Sequence, residues 1–248
     1  MVEPTCTESG IVTYTCAVCG ESETRGLAAL GHDYVETVIA PSCVDQGYSL
    51  YTCSRCAESY KDTYTDPHCP GISFADMPTV GDRAHDAIDW AITTGVTVGT
   101  SGTTFSPDKV CTRAEVVTFL WREAGSPEPA TNSCGFTDVK DGFYYEKAII
   151  WAAEKGIAKG TSESTFSPDK ACTRVEVVTF LWRANGSPEV NNTCKFTDVE
   201  PGAYYERAVI WAAQEGITVG TAATIFGVGG ACTRAQIVTF LYRNQEMQ

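Results

Sequence analysis

Cysteine and histidine residues near the N-terminus occur in a pattern that could bind metal ions. Two short repeats each contain a single cysteine, a C-x-x-C pair and a histidine: Cys6, Cys16, Cys19 and His32, then Cys43, Cys53, Cys56 and His68. Three thiolates and one imidazole form a common closed tetrahedral ligand set for structural Zn²⁺. Disulfide bonding is the alternative, but three cysteines per repeat would leave one thiol unpaired in each. We therefore predict two structural zinc ions, one in each repeat, and no catalytic cofactor.

Short β-prone segments would position these ligands. Residues 11–15 and 48–52 are rich in β-branched and aromatic residues and lead into the two C-x-x-C turns. Units of about 30 residues bury too little apolar surface to fold unaided, so a bound ion or a disulfide would supply much of their folding free energy. Residues 1–36 and 37–69 resemble small zinc-ribbon-like repeats of Gram-positive surface proteins, and the resemblance implies two β-rich, metal- or disulfide-stapled units.

A longer motif recurs three times in the remainder of the chain. The sequence Thr-Arg-Ala-Glu begins at Thr112 and returns as Thr-Arg-Val-Glu at Thr173 and as Thr-Arg-Ala-Gln at Thr233. Each is a capping box that predicts the start of a helix. An amphipathic helix that ends at a glycine precedes each motif, so every repeat is predicted to be a helix-loop-helix unit. The predicted repeats are residues 70–129, 130–190 and 191–248.

Each capping box places an arginine, Arg113, Arg174 or Arg234, at the first position of its helix. The helix dipole disfavours a cation there by about 0.3 to 1 kcal/mol. One interpretation is that an external anion completes the site, because guanidinium, dipole and exposed N–H groups would then converge on one acceptor. The other is that each arginine pairs with a carboxylate of a neighbouring repeat, such as an aspartate of a Phe-x-Asp motif. The residues alone favour neither interpretation.

The overall charge of the chain argues against some partners. A formal net charge of -13 disfavours binding to a nucleic-acid backbone and simple adsorption to anionic lipid. No apolar segment approaches the roughly 20 residues of a membrane-spanning helix. The first residues lack a basic segment followed by an apolar one, so we expect the signal peptide to lie outside this sequence and the chain to be part of a longer protein. Nearly every polar residue recurs in threes and no singular catalytic set stands out, so an enzyme is not expected.

The longer repeats carry a family resemblance. Phe-x-Asp, a tryptophan-containing helix, Gly-x-x-Gly, Phe-Ser-Pro-Asp-Lys and Thr-Arg-Ala-Glu follow one another as in S-layer homology repeats, which the chain resembles over residues 72–244. The resemblance implies a mainly α fold, in which three helix-loop-helix repeats form a pseudo-threefold bundle around their second helices. It also implies a non-enzymatic, monomeric module that binds anionic secondary cell wall polymer, often pyruvylated, in grooves between repeats. Such a module would anchor a secreted protein on a Gram-positive cell; a protein–protein interaction module on the bacterial surface is the alternative.

The predicted glycan-binding residues come from equivalent positions of the three repeats. The third repeat matches the family less closely, because Gln236 replaces the motif glutamate and Gly-Val-Gly-Gly replaces Ser-Pro-Asp-Lys. The tryptophans fit the helical core better than a sugar-stacking surface, which is the other interpretation. Replacing Arg113 or Arg174 by lysine is predicted to lower affinity while largely sparing folding, with a smaller effect at Arg234. The predicted set is Arg113, Arg174, Arg234, Asp76, Asp138, Asp198, Trp90, Trp151, Trp211, Gly99, Gly160 and Gly220.

The six further cysteines occupy two equivalent places in the long repeats, just before Phe-x-Asp and just before Thr-Arg. Bridges within repeats would join Cys69 to Cys111, Cys134 to Cys172 and Cys194 to Cys232, whereas bridges between repeats would join Cys111 to Cys134, Cys172 to Cys194 and Cys69 to Cys232. The sequence does not separate these two sets, and buried free thiols are the third possibility. Either set of bridges implies an oxidising compartment, in agreement with a secreted surface protein.

Overall fold

The computed structural model of the chain divides into two compact units, Met1–Cys69 and Pro70–Gln248. The predicted start of the first long repeat, at residue 70, and the predicted end of the third, at residue 248, lie outside the described residues. The ranges that the structure describes are 1–43, 45–69, 74–191 and 193–246.

The N-terminal unit contains two small antiparallel sheets, which confirms its predicted β-rich character. Strands β1 and β2 form a hairpin, and a second sheet has the order β3-β4-β5. One C-x-x-C pair lies in the turn between β1 and β2, and the other runs from Cys53, the last residue of β4, into the turn before β5. Their bounds are β1 Gly10–Thr15, β2 Ser22–Leu27, β3 Tyr34–Ile39, β4 Gly47–Cys53 and β5 Ser59–Thr65.

The second unit is helical, as predicted, and its six described helices form three consecutive pairs. None of the helices in the described ranges has the length and apolar character that a membrane span requires. The first helix of each pair is the shorter one, and it packs against the second helix of a different pair: α1 on α6, α3 on α2 and α5 on α4. Their bounds are α1 His85–Thr93, α2 Arg113–Glu123, α3 Glu146–Glu154, α4 Arg174–Ala184, α5 Glu206–Gln214 and α6 Arg234–Gln245.

The predicted capping boxes are confirmed at the starts of α2, α4 and α6. In α2 the Thr112 N–H donates to Glu115 Oε2 at 2.8 Å, while the Glu115 N–H donates to Thr112 Oγ1 at 3.3 Å. In α6 the side-chain oxygen of Gln236 replaces the carboxylate and accepts the Thr233 N–H at 3.2 Å. Two backbone donors at each helix start are thereby satisfied within the repeat itself.

A closed ring of backbone hydrogen bonds joins the segments that precede the second helices. The Cys111 N–H donates to the Cys232 carbonyl at 3.1 Å, Cys172 donates to Cys111 at 2.9 Å, and Cys232 donates to Cys172 at 3.0 Å. The three cysteine side chains are fully buried. Around them the core is filled by equivalent aromatic side chains, of which Phe105, Phe166 and Phe226 are inaccessible to solvent. The three repeats therefore contribute equivalent residues to one hydrophobic core.

Candidate functional site

Arg113 is buried between two repeats, although it stands at a helix start. Its guanidinium donates to the Phe166 carbonyl at 3.0 Å, to the Lys159 carbonyl at 2.7 Å and to Glu176 Oε1 at 2.7 Å. The ring of Phe180 lies against the same guanidinium, with its centroid 5.3 Å from the Cζ atom. Only 2% of the residue is exposed. For Arg113 the structure therefore favours the second interpretation, pairing with a carboxylate of a neighbouring repeat. That carboxylate is Glu176, which belongs to the capping box of α4.

Arg234 occupies the same position, and no carboxylate among the described residues contacts it directly. Its guanidinium donates to the Phe105 carbonyl at 3.0 Å, to the Val98 carbonyl at 2.6 Å and to Thr97 Oγ1 at 3.2 Å. Burial lowers the pKa of this arginine. Three neutral oxygen acceptors therefore solvate the charge in place of an ion pair.

Arg174 has the least complete set of partners of the three arginines. It donates from Nη2 to Thr218 Oγ1, and its Nε–H has no hydrogen-bond partner among the described residues. In the next repeat, Gln236 stands at the position equivalent to Glu176, which is the carboxylate partner of Arg113. Burial lowers the pKa of Arg174, and the nearby Cys232 opposes that change. The charge of Arg174 is thus the least compensated of the three.

The helix-start N–H groups are not open to an external anion, so this part of the sequence interpretation is wrong. The Arg113 N–H donates to the Lys170 carbonyl at 2.9 Å, and the Ala114 N–H donates to the Pro168 carbonyl at 3.1 Å. Arg174 and Arg234 likewise donate from their backbones to carbonyls of another repeat. Neighbouring repeats supply the acceptors that the sequence interpretation assigned to a ligand, because packing repeat against repeat satisfies the helix ends internally.

Two surface grooves nevertheless open directly above Arg113 and Arg234. The Arg113 groove, about 420 Å³ in volume, is also lined by Gly160, Lys170, Glu176, Arg183 and Tyr204. The Arg234 groove, about 290 Å³ in volume, is also lined by the equivalent residues Gly99, Lys109, Glu115, Arg122 and Tyr144.

Positive charge exceeds negative charge in both grooves. Lys170 Nζ lies 3.8 Å from Glu176 Oε1, and Lys109 donates to Glu115 at 2.7 Å. Because Arg183 or Arg122 adds a second guanidinium to the arginine at the base, each groove is basic within an acidic chain. Partial burial, followed by the charge of Glu115, raises the pKa of Tyr144 to about 12.

These lysines, second arginines and tyrosines are groove residues that sequence reasoning did not assign. A signal was present for each of them. Lys109 and Lys170 end the repeated Phe-Ser-Pro-Asp-Lys motif, and Arg122 and Arg183 follow the repeated Phe-Leu-Trp. Tyr144 and Tyr204 are equivalent tyrosines that occur only in the second and third repeats. Tyr144 lines the Arg234 groove beside α2, and Tyr204 lines the Arg113 groove beside α4. The order of residues in the sequence does not reveal this contact with the preceding repeat.

The predicted aspartates Asp76, Asp138 and Asp198 hold a loop in place and do not line the two grooves. Asp138 accepts the Phe166 N–H at 2.8 Å and the Ser167 N–H at 2.7 Å. Asp76 and Asp198 make the equivalent bonds. Burial opposes ionisation of Asp76 and Asp198, but the N–H donors prevail and lower the pKa of both carboxyls.

The predicted tryptophans pack into the helical core, in agreement with the first of their two interpretations. Trp151 and Trp211 are buried, and Trp90 is partly buried with its ring 5.8 Å from that of Tyr242. Gly99 and Gly160 do line the grooves. A Cβ atom on Gly160 would lie 2.6 Å from the Phe136 ring and 2.5 Å from the Thr165 carbonyl oxygen, so packing already requires glycine there.

In the N-terminal unit the structure gathers Cys/His groups that could hold a metal ion, but not in the predicted sets. The donor atoms of Cys6, His32, Cys53 and Cys56 all lie within 4.8 Å of one another. The predicted set of Cys6, Cys16, Cys19 and His32 does not form. The hairpin of β1 and β2 explains the difference. Its strands are six paired residues long, so the turn that contains Cys16 and Cys19 lies roughly 20 Å from the opposite end of the hairpin, where Cys6 lies.

The second predicted set, Cys43, Cys53, Cys56 and His68, is also divided by a sheet. Cys43 lies in the connection before β4, whereas Cys53 ends that strand, seven residues long. The His68 N–H donates to the Ser42 carbonyl at 3.0 Å, which places His68 at the Cys43 end. Cys69 Sγ is within 4.8 Å of Cys43 Sγ.

Among the cysteines of the helical unit, neither predicted set of bridges is formed. Cys111, Cys134, Cys172, Cys194 and Cys232 carry free thiols. Burial raises the pKa of Cys111 to about 12 and that of Cys232 to about 11, so these thiols are protonated at neutral pH. The two predicted sets of disulfide bridges, within and between repeats, also involve Cys69. They stay predictions for the protein after folding in an oxidising compartment.

Comparison with known families decides what the helical unit is. The family model of the S-layer homology domain matches residues 73–117, 135–178 and 195–238, more than half of the chain. The chain belongs to the S-layer homology family. All three matched ranges lie in the helical unit, and each ends within the second helix of an S-layer homology repeat.

Similar proteins match this chain over a small part of much longer chains. The exoglucanase XynX of Acetivibrio thermocellus is 28% identical over 165 residues, which are 64% of this chain and 15% of that protein. The surface-layer 125 kDa protein of Lysinibacillus sphaericus is 31% identical over 139 residues, 54% of this chain and 12% of the relative. The cellulosome-anchoring protein of A. thermocellus is 32% identical over 88 residues, 34% of this chain and 20% of the relative. The chain spans only a minor part of these relatives, and the family together with the surface-layer protein points to the cell surface.

Proposed function

We propose that the helical unit anchors a secreted bacterial protein to its cell surface by binding an anionic, pyruvylated secondary cell wall polymer. The observation that carries the proposal is the pair of basic grooves above Arg113 and Arg234 in a chain of net charge -13. Local positive charge of this kind selects an anionic ligand against the overall repulsion of the acidic chain. The cellulosome-anchoring and surface-layer relatives support a non-catalytic anchoring role.

The proposed arrangement is a pseudo-threefold bundle of the three repeats around their second helices. The cyclic hydrogen bonds of Cys111, Cys172 and Cys232 support it, as do the cyclic contacts of α1 with α6, α3 with α2 and α5 with α4. A bundle of this kind has three equivalent grooves. The groove of Arg174 differs from the other two, because Gly230 replaces the lysine of the Phe-Ser-Pro-Asp-Lys motif.

In the Arg113 groove we assign ligand recognition to three exposed or partly exposed side chains. Lys170 and Arg183 would pair with the carboxylate of a ketal-linked pyruvate, and the ring of Tyr204, which is 61% exposed, would pack on a sugar face. Arg113 would act from below as a buried positive charge. The second repeat contributes Lys170 and Arg183 and the third contributes Tyr204, so one ligand would contact two repeats.

A protein partner on the bacterial surface is the second candidate. The observation that favours it is the exposure of three aromatic side chains, Phe143, Tyr144 and Tyr204, which are 48%, 57% and 61% exposed. Aromatic residues of this type are enriched at protein interfaces. A glycan would contact the same tyrosines, so their exposure does not distinguish the two candidates. Ligands that differ in negative charge are needed to distinguish them.

Co-sedimentation with purified cell wall polymer tests the proposal. Polymer that carries pyruvate ketals should retain the chain, and the same polymer after mild acid removal of the ketals should not. Rising salt should release the bound chain, because paired charges are screened. Equal retention by both polymers would contradict pyruvate recognition, and no retention by either would favour the protein partner.

We also propose that the N-terminal unit binds structural zinc. The Cys/His group of Cys6, His32, Cys53 and Cys56 supports this, because three sulfurs and one imidazole suit a closed tetrahedral site without an open catalytic position. Elemental analysis of chain purified without chelator is the test, and zinc should be found. A metal-free chain with Cys53 and Cys56 joined by a disulfide would contradict it.

A further inference from the structure

We infer that the two N-terminal repeats share one tetrahedral zinc site, to which each repeat contributes two ligands. Cys6 and His32 come from the first repeat, and Cys53 and Cys56 come from the second. The inference rests on the zinc proposal above and adds that the two repeats share the ion. The ion joins the two repeats, whereas a site within each repeat would leave them independent.

The spacing of the donor atoms matches a tetrahedral zinc site. With Zn–S bonds of about 2.3 Å and Zn–N bonds of about 2.0 to 2.1 Å, tetrahedral angles place two sulfurs about 3.8 Å apart and a sulfur and a nitrogen about 3.5 Å apart. Cys6 Sγ and Cys53 Sγ are 3.8 Å apart, and Cys56 Sγ and His32 Nδ1 are 3.4 Å apart. A disulfide requires a sulfur separation of about 2.05 Å, so the geometry of Cys6 and Cys53 is not that of a bridge.

Backbone hydrogen bonds align the four ligands across the repeat boundary. The Gly31 N–H donates to the Cys6 carbonyl at 3.0 Å, which ties the histidine loop to the first cysteine. The Asp33 N–H donates to Cys53 Sγ at 3.4 Å. Arg55, between the two cysteines of the second turn, donates to the Leu30 carbonyl at 3.1 Å. The histidine loop of the first repeat is therefore fastened to the cysteine turn of the second repeat.

Glu58 orients the imidazole from outside the ligand set. Its Oε2 lies 3.3 Å from His32 Nε2, while His32 Nδ1 faces the thiol of Cys56. A carboxylate on the far ring nitrogen holds that nitrogen as the N–H donor and leaves the near nitrogen free to bind metal. The ring of Tyr34 stacks on the imidazole with centroids 5.2 Å apart and fixes its plane. Glu58 is a positioning residue and not a ligand.

The first repeat supplies a matched control for each residue of the second turn. Cys16, Cys19 and Glu21 stand in the first repeat where Cys53, Cys56 and Glu58 stand in the second. Both Cys16 and Cys19 are exposed, and they lie outside the cluster. If each repeat held its own ion, Cys16 and Cys53 would be equally necessary. In a shared site only Cys53 is necessary.

Metal content of the full chain, loaded with zinc and passed through a desalting column, tests the shared site. Cys6→Ser, Cys53→Ser and Cys56→Ser should each lose one zinc equivalent relative to the parent, whereas Cys16→Ser and Cys19→Ser should retain it. Loss from Cys16→Ser or Cys19→Ser would overturn the shared site while leaving zinc binding itself intact. A parent chain without zinc would overturn the zinc proposal as a whole.

A second measurement avoids variants that fail to fold for lack of a ligand. Glu58→Gln keeps all four ligands and should weaken zinc affinity by about 10- to 100-fold in competition with a chromophoric chelator. Glu21→Gln should bind zinc like the parent. Equal affinities of Glu58→Gln and the parent, or an equal loss in Glu21→Gln, would contradict the assigned orientation of His32 and with it the shared site.

Discussion

Arg113 of the first repeat donates to Glu176 of the second at 2.7 Å, and the same carboxylate accepts the Thr173 N–H at 2.8 Å. Glu176 therefore closes the capping box of α4 and neutralises the arginine of the preceding repeat. Both residues are buried, at 2% and 8% exposure. One carboxylate thus couples the start of a helix to the interface between repeats, directly beneath the Arg113 groove.

Arg113→Lys should destabilise the helical unit by about 1 to 3 kcal/mol, because lysine keeps the charge but cannot make three separated hydrogen bonds. This revises the sequence expectation that folding would be largely spared. Urea unfolding followed by helical circular dichroism measures the effect. Arg25→Lys, at an exposed arginine of the N-terminal unit, is the control and should be neutral. An unchanged midpoint for Arg113→Lys would show that the buried contacts contribute little.

Gln236→Glu should stabilise the chain. The substitution places a carboxylate at the position equivalent to Glu176, although Gln236 is exposed and Glu176 is buried, and a charged partner for a buried donor is worth about 1 to 3 kcal/mol. Thermal melts at neutral pH would measure the gain. The matched change is Glu176→Gln, which should destabilise by a similar amount. A lower melting temperature for Gln236→Glu would contradict the equivalence of the two positions.

Glu123 should make stability depend on pH. Burial raises the pKa of its carboxyl from 4.5 to about 7, in a cavity that Ala184 and Asn244 also line. The folded state therefore binds this proton more tightly than the unfolded state, and stability rises as pH falls from about 8 towards 4.5.

Glu123→Gln removes the titration and should stabilise the chain at pH 8 by about 1 to 3 kcal/mol, with a smaller gain at pH 5. Denaturant midpoints measured at both pH values test this. Glu215→Gln, at an exposed position, provides the control. A gain that is the same at both pH values would contradict the raised pKa.

Asp138→Ala should cost about 2 to 4 kcal/mol of stability, because the N–H groups of Phe166, which is buried, and of Ser167, which is partly buried, lose their acceptor. The exposed Asp141→Ala is the control. Differential scanning calorimetry would measure the change, and polymer binding would be assayed on the fraction that remains folded. Lost binding at unchanged stability would instead support the sequence prediction that Asp138 contacts glycan.

Local sequence signals predicted the elements well, because they depend on neighbours in the chain. The capping box at Thr112 and the helix stop at Gly95, whose φ is 74°, act within one turn of a helix. The partners of Arg113 were not predictable in the same way. Its acceptors lie in the next repeat. The sequence pattern does not show that the Phe-x-Asp aspartate accepts N–H groups of a loop, which leaves Glu176 as the carboxylate partner of Arg113.

The predicted grouping of the metal ligands was wrong for a related reason. The residue types of a Cys3His set were predicted, but grouping them by repeat assumed that neighbours in sequence are neighbours in space. Strand pairing of Tyr34 with Cys53 brings the histidine loop of one repeat to the cysteine turn of the next. A hairpin separates Cys6 from Cys16 by the length of its strands, and only the register reveals this.

Calorimetric titration with a pyruvylated polymer fragment tests the central claim, that the basic grooves bind the anionic group of a wall glycan. Lys170→Gln removes a partly exposed groove cation, and Lys155→Gln removes an exposed cation that does not line the Arg113 groove. We expect Lys170→Gln to weaken binding by about 5- to 50-fold, the loss of one charge-assisted pair, with an unchanged melting temperature, while Lys155→Gln binds like the parent. The fragment without its pyruvate ketal should bind neither the parent nor the variants. Parent-like affinity of Lys170→Gln, or equal affinity of the parent for both fragments, would contradict the account.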